Sequence, residues 1–320
     1  MKKYFIITID TEGDNLWHWK YGDKITSKNA RFLPRFQFLC EEYGFKPVYL
    51  TNYEMAIDPY FVSMAKEALR KGTCEIGMHL HAVNNPPVDY KINVDNPHNF
   101  PYLIEYPDDV MEAKIAFQTR LLEKTFDRKI ITHRAGRWAM DKRYEELLLK
   151  YGYQIDCSTT PGIDWSSTAG ITNGSMGTNY DESKSTPHFL DKDNRLLEVP
   201  ITTKHIRKGF LKETSVRGVL RFVKHTVLGR TFWLRPTGEN LDEMLFLLEH
   251  DLKNNESDYI MFMLHSSEFM PGGSPTFLNE KAIETLYEHI RIVFDKASKY
   301  YEGITLEEYA RKYFKRYKYI

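Results

Sequence analysis

Two pairs of polar residues, each pair separated by one residue, could do chemistry together. Asp10 and Glu12 follow an apolar run at residues 4–9, and His79 and His81 follow a shorter run at 76–78. Side chains two positions apart on an extended strand point to the same side, so two adjacent strand ends could aim two carboxylates and two imidazoles into one space. Two imidazoles and a carboxylate leave positions open on a divalent metal, as catalytic sites do. The spacing therefore predicts a metal site.

Apolar runs alternate with amphipathic helical patterns along the chain. We predict strands at 4–9, 46–50, 74–78, 130–132, 153–157, 196–200 and 259–264, and helices at 31–43, 59–71, 108–125 and 141–151. This alternation is typical of βαβ units around a parallel sheet, and a closed or nearly closed α/β barrel is the simplest arrangement. Functional residues of such barrels lie at the carboxyl ends of the strands. The polar residues at or just beyond the predicted ends are Asp10, Glu12, His79, His81, Arg134, Asp156 and His265.

Size and composition allow one large folded unit. The chain has 320 residues, 42% of them hydrophobic, and shows neither an internal repeat nor a linker. We predict a single catalytic domain over residues 1–320 with loop insertions around 84–107, 162–192 and 204–235. Lys and Arg total 44, as do Asp and Glu, so the net charge gives no reason to expect a nucleic-acid partner.

The chain start and the cysteines favour a cytoplasmic location. The first apolar run ends at Asp10, which makes it short against the ~7–15 apolar residues of a secretory signal. No stretch approaches the roughly 18 apolar residues of a membrane span. Cys40, Cys74 and Cys157 stand far apart without a CxxC pair, which fits reduced thiols filling the core better than a disulfide framework.

Five short segments resemble, in order and spacing, the motifs of the polysaccharide deacetylases, the NodB-homology carbohydrate esterases of family four. These segments are Thr-Ile-Asp-Thr-Glu-Gly at 8–13, Glu-Ile-Gly-Met-His-Leu-His at 75–81, His-Arg-Ala-Gly-Arg-Trp at 133–138, Asp-Trp at 164–165 or Ile-Asp-Cys-Ser at 155–158, and Met-Leu-His-Ser-Ser-Glu at 263–268. The resemblance implies a distorted (β/α) barrel of about seven parallel strands. It also implies a hydrolase that removes acetyl from an N-acetylated amino sugar in a glycan or glycan precursor.

In the first two segments the resemblance implies a catalytic base and the metal ligands. It gives the base role to Asp10 and the ligand role to Glu12, although the exchange of these two roles stays open. The family usually has adjacent Asp residues and two His residues four apart, whereas here the second acid is shifted and position 83 is Val. His79 and His81 are therefore the expected ligands. Zinc is the expected ion, and cobalt, nickel and iron accept the same donors.

In the later segments the resemblance implies the groups that assist the base. Arg134 would orient Asp10 and hold it ionised, and a backbone N–H near Arg137 would help to bind the oxyanion. His265 would be the general acid, tuned by Asp164 or, as the alternative, by Asp156.

Two tryptophans, Trp138 and Trp165, would line the substrate pocket together with Arg137. His133 is expected to be a structural neighbour of this site. The alternatives are an amidohydrolase that acts on a small non-sugar amide and a catalytically silent glycan-binding protein.

A basic segment separates the last two motifs. Residues 204–235 carry nine Lys or Arg and one acid, Glu213, with Val216, Val219, Leu220, Val223 and Val227 at helical spacing. Such a helix can lie on an anionic membrane surface, which would place the protein at the membrane periphery and suit a lipid-linked or phosphorylated glycan substrate. The competing interpretation is an ordinary helix that packs on the barrel and turns a solvated face outward.

Overall fold

The computed structural model describes residues 3–17, 23–88, 101–167, 177–210 and 216–317. Its main sheet has nine strands in the order β10-β1-β2-β3-β4-β5-β7-β6, with β11 beside β1. The strands are β1 (Lys3–Thr11), β2 (Pro47–Thr51), β3 (Glu75–Leu80), β4 (Thr132–Ala135), β5 (Ile155–Asp156), β6 (His188–Phe189), β7 (Leu197–Glu198), β8 (Thr203–Ile206), β9 (Arg230–Trp233), β10 (Tyr259–His265) and β11 (Tyr301–Gly303). Strands β8 and β9 form a separate antiparallel pair.

Seven consecutive strands of this sheet, from β10 to β7, are parallel, and β6 closes the row antiparallel. The sheet curls into a half-barrel, which confirms the predicted fold class. The residues that flank the β8–β9 pair bond to the side of β10 that faces away from β1. There Met261 N–H donates to Thr202 Oγ1 at 2.8 Å, and Met263 N–H donates to Leu234 O at 3.2 Å.

Nine α-helices are interspersed with the strands along the described part of the chain. They are α1 (Leu33–Glu42), α2 (Tyr53–Ala56), α3 (Pro59–Lys71), α4 (Asp108–Phe126), α5 (Lys142–Lys150), α6 (Val216–Val227), α7 (Leu241–Asn254), α8 (Glu280–Tyr300) and α9 (Leu306–Tyr317). Helix α3 has the predicted bounds because both of its ends are encoded locally. Asp58 accepts from the N–H groups of Tyr60 and Phe61, and Gly72 ends the helix in a left-handed conformation.

The central strand β1 determines where the site lies. All nine of its residues are buried, which explains its continuous apolar run. Phe5, Ile7 and Ile9 belong to the larger core cluster, whereas Tyr4 and Ile6 belong to the second. The side chains alternate, so Asp10 continues the row of Tyr4 and Ile6 and ends it with a polar group.

Parts of the predicted insertions lie outside the described residues, namely 89–100, 168–176 and 211–215. The described part of 204–235 forms β8, α6 and β9. Among the described residues, no helix is long and apolar enough to cross a membrane.

A buried carboxyl group at the amino end of β3 gives a stability prediction. Glu75 accepts hydrogen bonds from Thr132 Oγ1 at 2.5 Å and from Glu307 N–H at 2.8 Å. Burial raises its pKa to about 6 from the ordinary 4.5. Because the folded pKa is the higher one, the favourable contribution is present below pH ~4.5 and is lost as the pH rises through 6.

Glu75→Gln should therefore stabilise the fold at alkaline pH. The amide can still accept from Glu307 N–H and pair with Thr132 Oγ1, but it carries no charge. We expect its free energy of unfolding to exceed that of the wild type by about 2 kcal/mol at pH ~8 and to match it at pH ~4. Urea unfolding at both pH values measures this difference, and a variant that is less stable at the alkaline pH contradicts it.

Candidate metal centre and active site

The carboxyl ends of β1, β3, β4 and β10 meet at one edge of the half-barrel. Strand pairing sets Asp10 beside His265 and His79 beside Arg134. Because adjacent parallel strands end at the same edge, residues that are more than 250 positions apart become neighbours. The polar residues predicted from strand ends are thus brought to one place, apart from Asp156, which is discussed below.

Glu12, His79 and His81 form a group whose donor atoms all lie within 4.8 Å of one another. Glu12 Oε2 is 2.7 Å from His81 Nε2 and 3.4 Å from His79 Nε2, and the two Nε2 atoms are 3.1 Å apart. A tetrahedral ion with bonds of about 2.0–2.1 Å would hold its ligand atoms roughly 3.3 Å apart. The three side chains therefore fit a divalent metal ion.

The surroundings of this group orient its donor atoms. His79 Nδ1 lies 2.9 Å from Arg134 O, so Nδ1 carries the proton and Nε2 faces the other two ligands, as second-shell contacts of metal histidines do. Glu12 is held through its backbone, since Asn29 Nδ2 and Ser266 Oγ both donate to Glu12 O at 2.7 and 2.9 Å. The sequence did not predict either contact, because Asn29 lies outside the five motif segments and Ser266, although inside the 263–268 segment, was given no role.

Glu12 is held in its ionised form. Burial raises the pKa of this carboxyl, but the charge of His81 and hydrogen bonds with His79 and His81 outweigh burial and bring the pKa well below its ordinary value. An ionised carboxylate is the form that binds a metal ion.

Asp10 is the second acid of the site, and it contacts a buried arginine rather than the two predicted histidine ligands. Arg134 Nη1 donates to Asp10 Oδ1 at 2.5 Å, Nη2 donates to Thr8 Oγ1 at 2.9 Å, and Nε donates to Cys157 O at 3.0 Å. The guanidinium is inaccessible to solvent and lies 5.0 Å from the Trp138 ring centroid. These contacts fix the Arg134 side chain.

The pKa of Asp10 is lowered by these charges. Burial alone raises it, and the charges of Arg134, His79 and His265 together exceed that effect. Asp10 is thus an ionised carboxylate with Oδ1 bound to Arg134.

His265 faces Asp10 from β10. Its Nε2 atom lies 3.8 Å from Asp10 Oδ2, and its Nδ1 atom lies 3.0 Å from Glu268 Oε2. Glu268 also accepts from His265 N–H at 2.8 Å and from Arg235 Nη2 at 3.0 Å. Burial opposes ionisation of Glu268, but the charges of Arg235 and His265 lower its pKa to about 2. Glu268 therefore orients the imidazole as a permanent anion.

The partner of His265 differs from the prediction. Asp164 is exposed, and its Oδ1 accepts from Ser166 N–H at 2.8 Å in a local turn. Asp156 Oδ1 lies 2.7 Å from His133 Nδ1. Asp156 is on β5, and four strands lie between β5 and β10 in the sheet. The structure thus brings neither Asp164 nor Asp156 to His265. Glu268, three residues after His265, takes that position, and the Ser-Ser-Glu spacing of a capping box is the sequence signal that could have identified it.

The site opens into a cavity of about 430 Å³. The predicted residues in its wall are Asp10, Glu12, His79, His81, Arg137, Trp138, Trp165 and His265, and those that the sequence analysis missed are Leu16, Trp17, Tyr102 and Arg235. Trp17 packs edge-on against His265, with 4.9 Å between ring centroids. Trp165 Nε1–H donates to Thr160 Oγ1 at 2.8 Å. Three indole rings thus give the cavity a largely apolar wall around its charged floor.

Arg137 is an exposed cation of this wall, held on an unusual backbone. Arg137 and Trp138 have φ angles of 54° and 61°, a left-handed conformation that costs about 1–3 kcal/mol per non-glycine residue. A Cβ atom on Gly136 would lie 2.3 Å from Leu80 O, so only glycine fits between this turn and the end of β3. The turn therefore keeps a fixed position beside the histidines.

Comparisons with known proteins support the fold. No protein-family model and no curated protein match the sequence. Among solved structures, the chain is similar to a protein from Mycobacterium smegmatis assigned as a polysaccharide deacetylase, with a TM-score of 0.50 and 13% identity over 92% of this chain and 85% of that one.

The chain is also similar to two archaeal GH57 branching enzymes. The enzyme from Pyrococcus horikoshii has a TM-score of 0.56 and 11% identity over 98% of this chain and 71% of that one. The enzyme from Thermococcus kodakaraensis has a TM-score of 0.54 and 12% identity over 98% and 72%. At these identities the likeness shows a shared fold, and the reaction must be argued from the site.

Proposed function

We propose that this chain is a metal-dependent hydrolase that removes the acetyl group from an N-acetylated amino sugar. One observation carries the proposal. A two-histidine, one-carboxylate donor set, an ionised Asp10 bound to Arg134, and the imidazole of His265 all border one cavity. The chain shares its fold with the Mycobacterium smegmatis protein assigned as a polysaccharide deacetylase, and the substrate class is inferred from the cavity wall.

The residues divide the reaction between them. A divalent ion held by Glu12, His79 and His81 would supply a Lewis acid for the acetyl carbonyl and for water. Asp10 takes a proton from the attacking water, and Arg134 keeps Asp10 ionised between turnovers. We assign a backbone N–H of the 136–138 turn to the developing oxyanion. His265 gives a proton to the departing amine nitrogen, which leaves poorly as an anion, and Glu268 orients His265.

The chain shares its fold with branching enzymes, so cleavage or transfer at a glycosidic bond is a second candidate reaction. The site suits that reaction less well than amide hydrolysis. Chemistry at a glycosidic bond generally needs a protonated carboxylic acid opposite a carboxylate. Among the described residues, the carboxyl groups that line the cavity are Asp10 and Glu12, and both have lowered pKa values. Neither is suited to donate a proton, whereas the donor set and His265 suit amide hydrolysis.

The indole rings favour a sugar over a small non-sugar amide. Trp17, Trp138 and Trp165 give the cavity broad apolar faces, and a volume of about 430 Å³ exceeds what a simple acetamide fills. A catalytically silent glycan-binding protein would need these walls but not the Arg134–Asp10 pair. The catalytic proposal therefore accounts for more of the site.

Metal content tests the first step of this proposal. We expect the protein to retain one zinc or cobalt ion per chain after dialysis. His81→Ala should weaken the metal Kd by more than about 100-fold, because it removes one of three ligands. His205→Ala is the matched control, since His205 is exposed and remote in sequence from the donor set. Metal content that is equal in both variants contradicts the assigned site.

A further inference from the structure

Helix α6 exposes a row of large apolar side chains to solvent. Val219, Leu220, Val223, Val227 and Leu228 are 42%, 64%, 49%, 61% and 62% exposed. At about 100° per residue, Val219, Leu220, Val223 and Val227 share one side of the helix. We call these four residues, together with Leu228 just beyond the end of the helix, the apolar stripe.

The side of α6 that faces the protein is a different one. Phe222 and His225 are partly buried and lie about 100° and 200° round the helix from Val223. A Cβ atom on Gly209 would lie 2.4 Å from Phe222 O, so the preceding chain contacts the helix on that side. The stripe is thus not the side of α6 that contacts the rest of the protein.

The segment is anchored to the rest of the chain by an aromatic cluster. Phe232 on β9 lies 6.0 Å from Phe210 and 5.9 Å from Phe246 on α7, measured between ring centroids. Lys204 and Arg230 form ion pairs with Glu256 and Glu243. These contacts hold β8 and β9 in place, and α6, which carries the stripe, lies between these two strands in the chain.

The sequence around the stripe is strongly positive. Residues 207–228 carry six Lys or Arg and one Glu. Arg207 and Lys224 are exposed, and neither has an ion-pair partner within the described part of the chain. Cations beside an apolar helix face match a bilayer interface, where apolar side chains enter the acyl boundary and Lys or Arg meet lipid phosphates. A second copy of the chain would instead bring like charges together.

We propose that α6 docks this protein onto an anionic lipid bilayer through the apolar stripe. Leu228, at the end of the stripe, is joined by β9 to Arg235 in the cavity wall, and seven residues span at most about 24 Å. A bilayer-bound protein would therefore hold its cavity within reach of the membrane surface. The docking itself does not depend on the proposed reaction.

Vesicle co-sedimentation tests the proposal. The full chain is mixed with vesicles of phosphatidylcholine containing about 30% phosphatidylserine, and with phosphatidylcholine vesicles alone, at about 0.1 M salt. We expect binding to the anionic vesicles, weaker binding to the neutral ones, and loss of binding as salt rises. Failure of the wild type to sediment with anionic vesicles would overturn the proposal.

Substitutions in the apolar stripe test whether it is the surface that binds the vesicles. Leu220→Gln, Val223→Gln and Val227→Gln together should lower vesicle partitioning by at least about tenfold. The control combines Phe38→Gln, Ile57→Gln and Leu278→Gln, which alter comparably exposed apolar residues at 62%, 52% and 67% elsewhere, and it should bind as the wild type does. Arg207→Gln with Lys224→Gln should weaken binding severalfold and reduce its salt dependence.

Two results of these substitution experiments would contradict the docking proposal. One is equal loss of binding in the stripe and control variants. The other is a wild-type dimer, seen by sedimentation velocity, that the stripe substitutions dissociate while vesicle binding is absent. Thermal unfolding of each variant verifies that it is folded, and metal content verifies that the site is intact, so failure of docking is distinguishable from failure of the proposed function.

Discussion

Asp10→Asn should lower kcat by about 10³-fold while the bound metal is retained. The amide keeps the size of the side chain and can still accept from Arg134, but it cannot take a proton from water. Asp10 is 2.5 Å from Arg134, whereas Glu12 lies among the imidazole nitrogens. The loss should therefore appear in turnover and not in metal content or KM.

Glu12→Gln is the matched comparison for this prediction. An amide oxygen is a weaker ligand than a carboxylate, so this variant should lose metal first and activity as a consequence. Excess zinc should restore part of the activity of Glu12→Gln and none of that of Asp10→Asn. The opposite pattern, with metal lost from Asp10→Asn and retained by Glu12→Gln, would show that the two acids have exchanged roles.

Replacement of His265 should depend strongly on the leaving group. His265→Ala is expected to lower kcat for an N-acetyl amide by about 10³-fold, because the amine must be protonated as it departs. An aryl acetate such as 4-nitrophenyl acetate has a leaving group that departs as an anion, so its hydrolysis should fall by less than about tenfold. Parallel kinetics on the two substrates measure the difference.

Glu268→Gln provides an intermediate case. It retains the shape of the residue beside His265 Nδ1 but removes the permanent negative charge. We expect a smaller loss of kcat on the amide than with His265→Ala and no effect on metal content.

Equal losses of kcat on both substrates for His265→Ala would contradict the assignment of His265 as the general acid.

The fold was predictable where the sequence pattern is local. The run that becomes β1 is apolar because both faces of the strand are buried, and α3 is bounded by Asp58 and Gly72. The predicted strand at 130–132 shares one residue with β4, and those at 153–157 and 196–200 were too long, since β5 and β7 have only two residues each. The other apolar residues of the last two segments are buried in loops. Hydrophobicity alone does not distinguish a buried loop from a buried strand.

The site was most predictable at and just after strand ends. Asp10, His79 and Arg134 lie where parallel strands stop, and the barrel geometry brings such positions together. Trp17 and Arg235 enter the site from segments that fold back over it, and no spacing relates them to the motifs. Glu268 belongs to the 263–268 segment, but its contact with His265 was not predicted. Asp164 was predicted to serve His265 by resemblance alone, and its carboxylate instead accepts from Ser166 N–H.

Acetate release by the metal-loaded protein is the decisive assay for the proposed deacetylation. The zinc- or cobalt-loaded chain is assayed with N-acetylhexosamine oligomers, nucleotide sugars and small non-sugar acetamides, beside Asp10→Asn, His81→Ala and the control His205→Ala. The account predicts acetate from at least one sugar substrate, lost in the first two variants and preserved in the third. Stoichiometric metal without acetate from any substrate would indicate a glycan-binding protein. Turnover of the small acetamides alone would indicate an amidohydrolase. Acetate release that survives both Asp10→Asn and His81→Ala would contradict the mechanism.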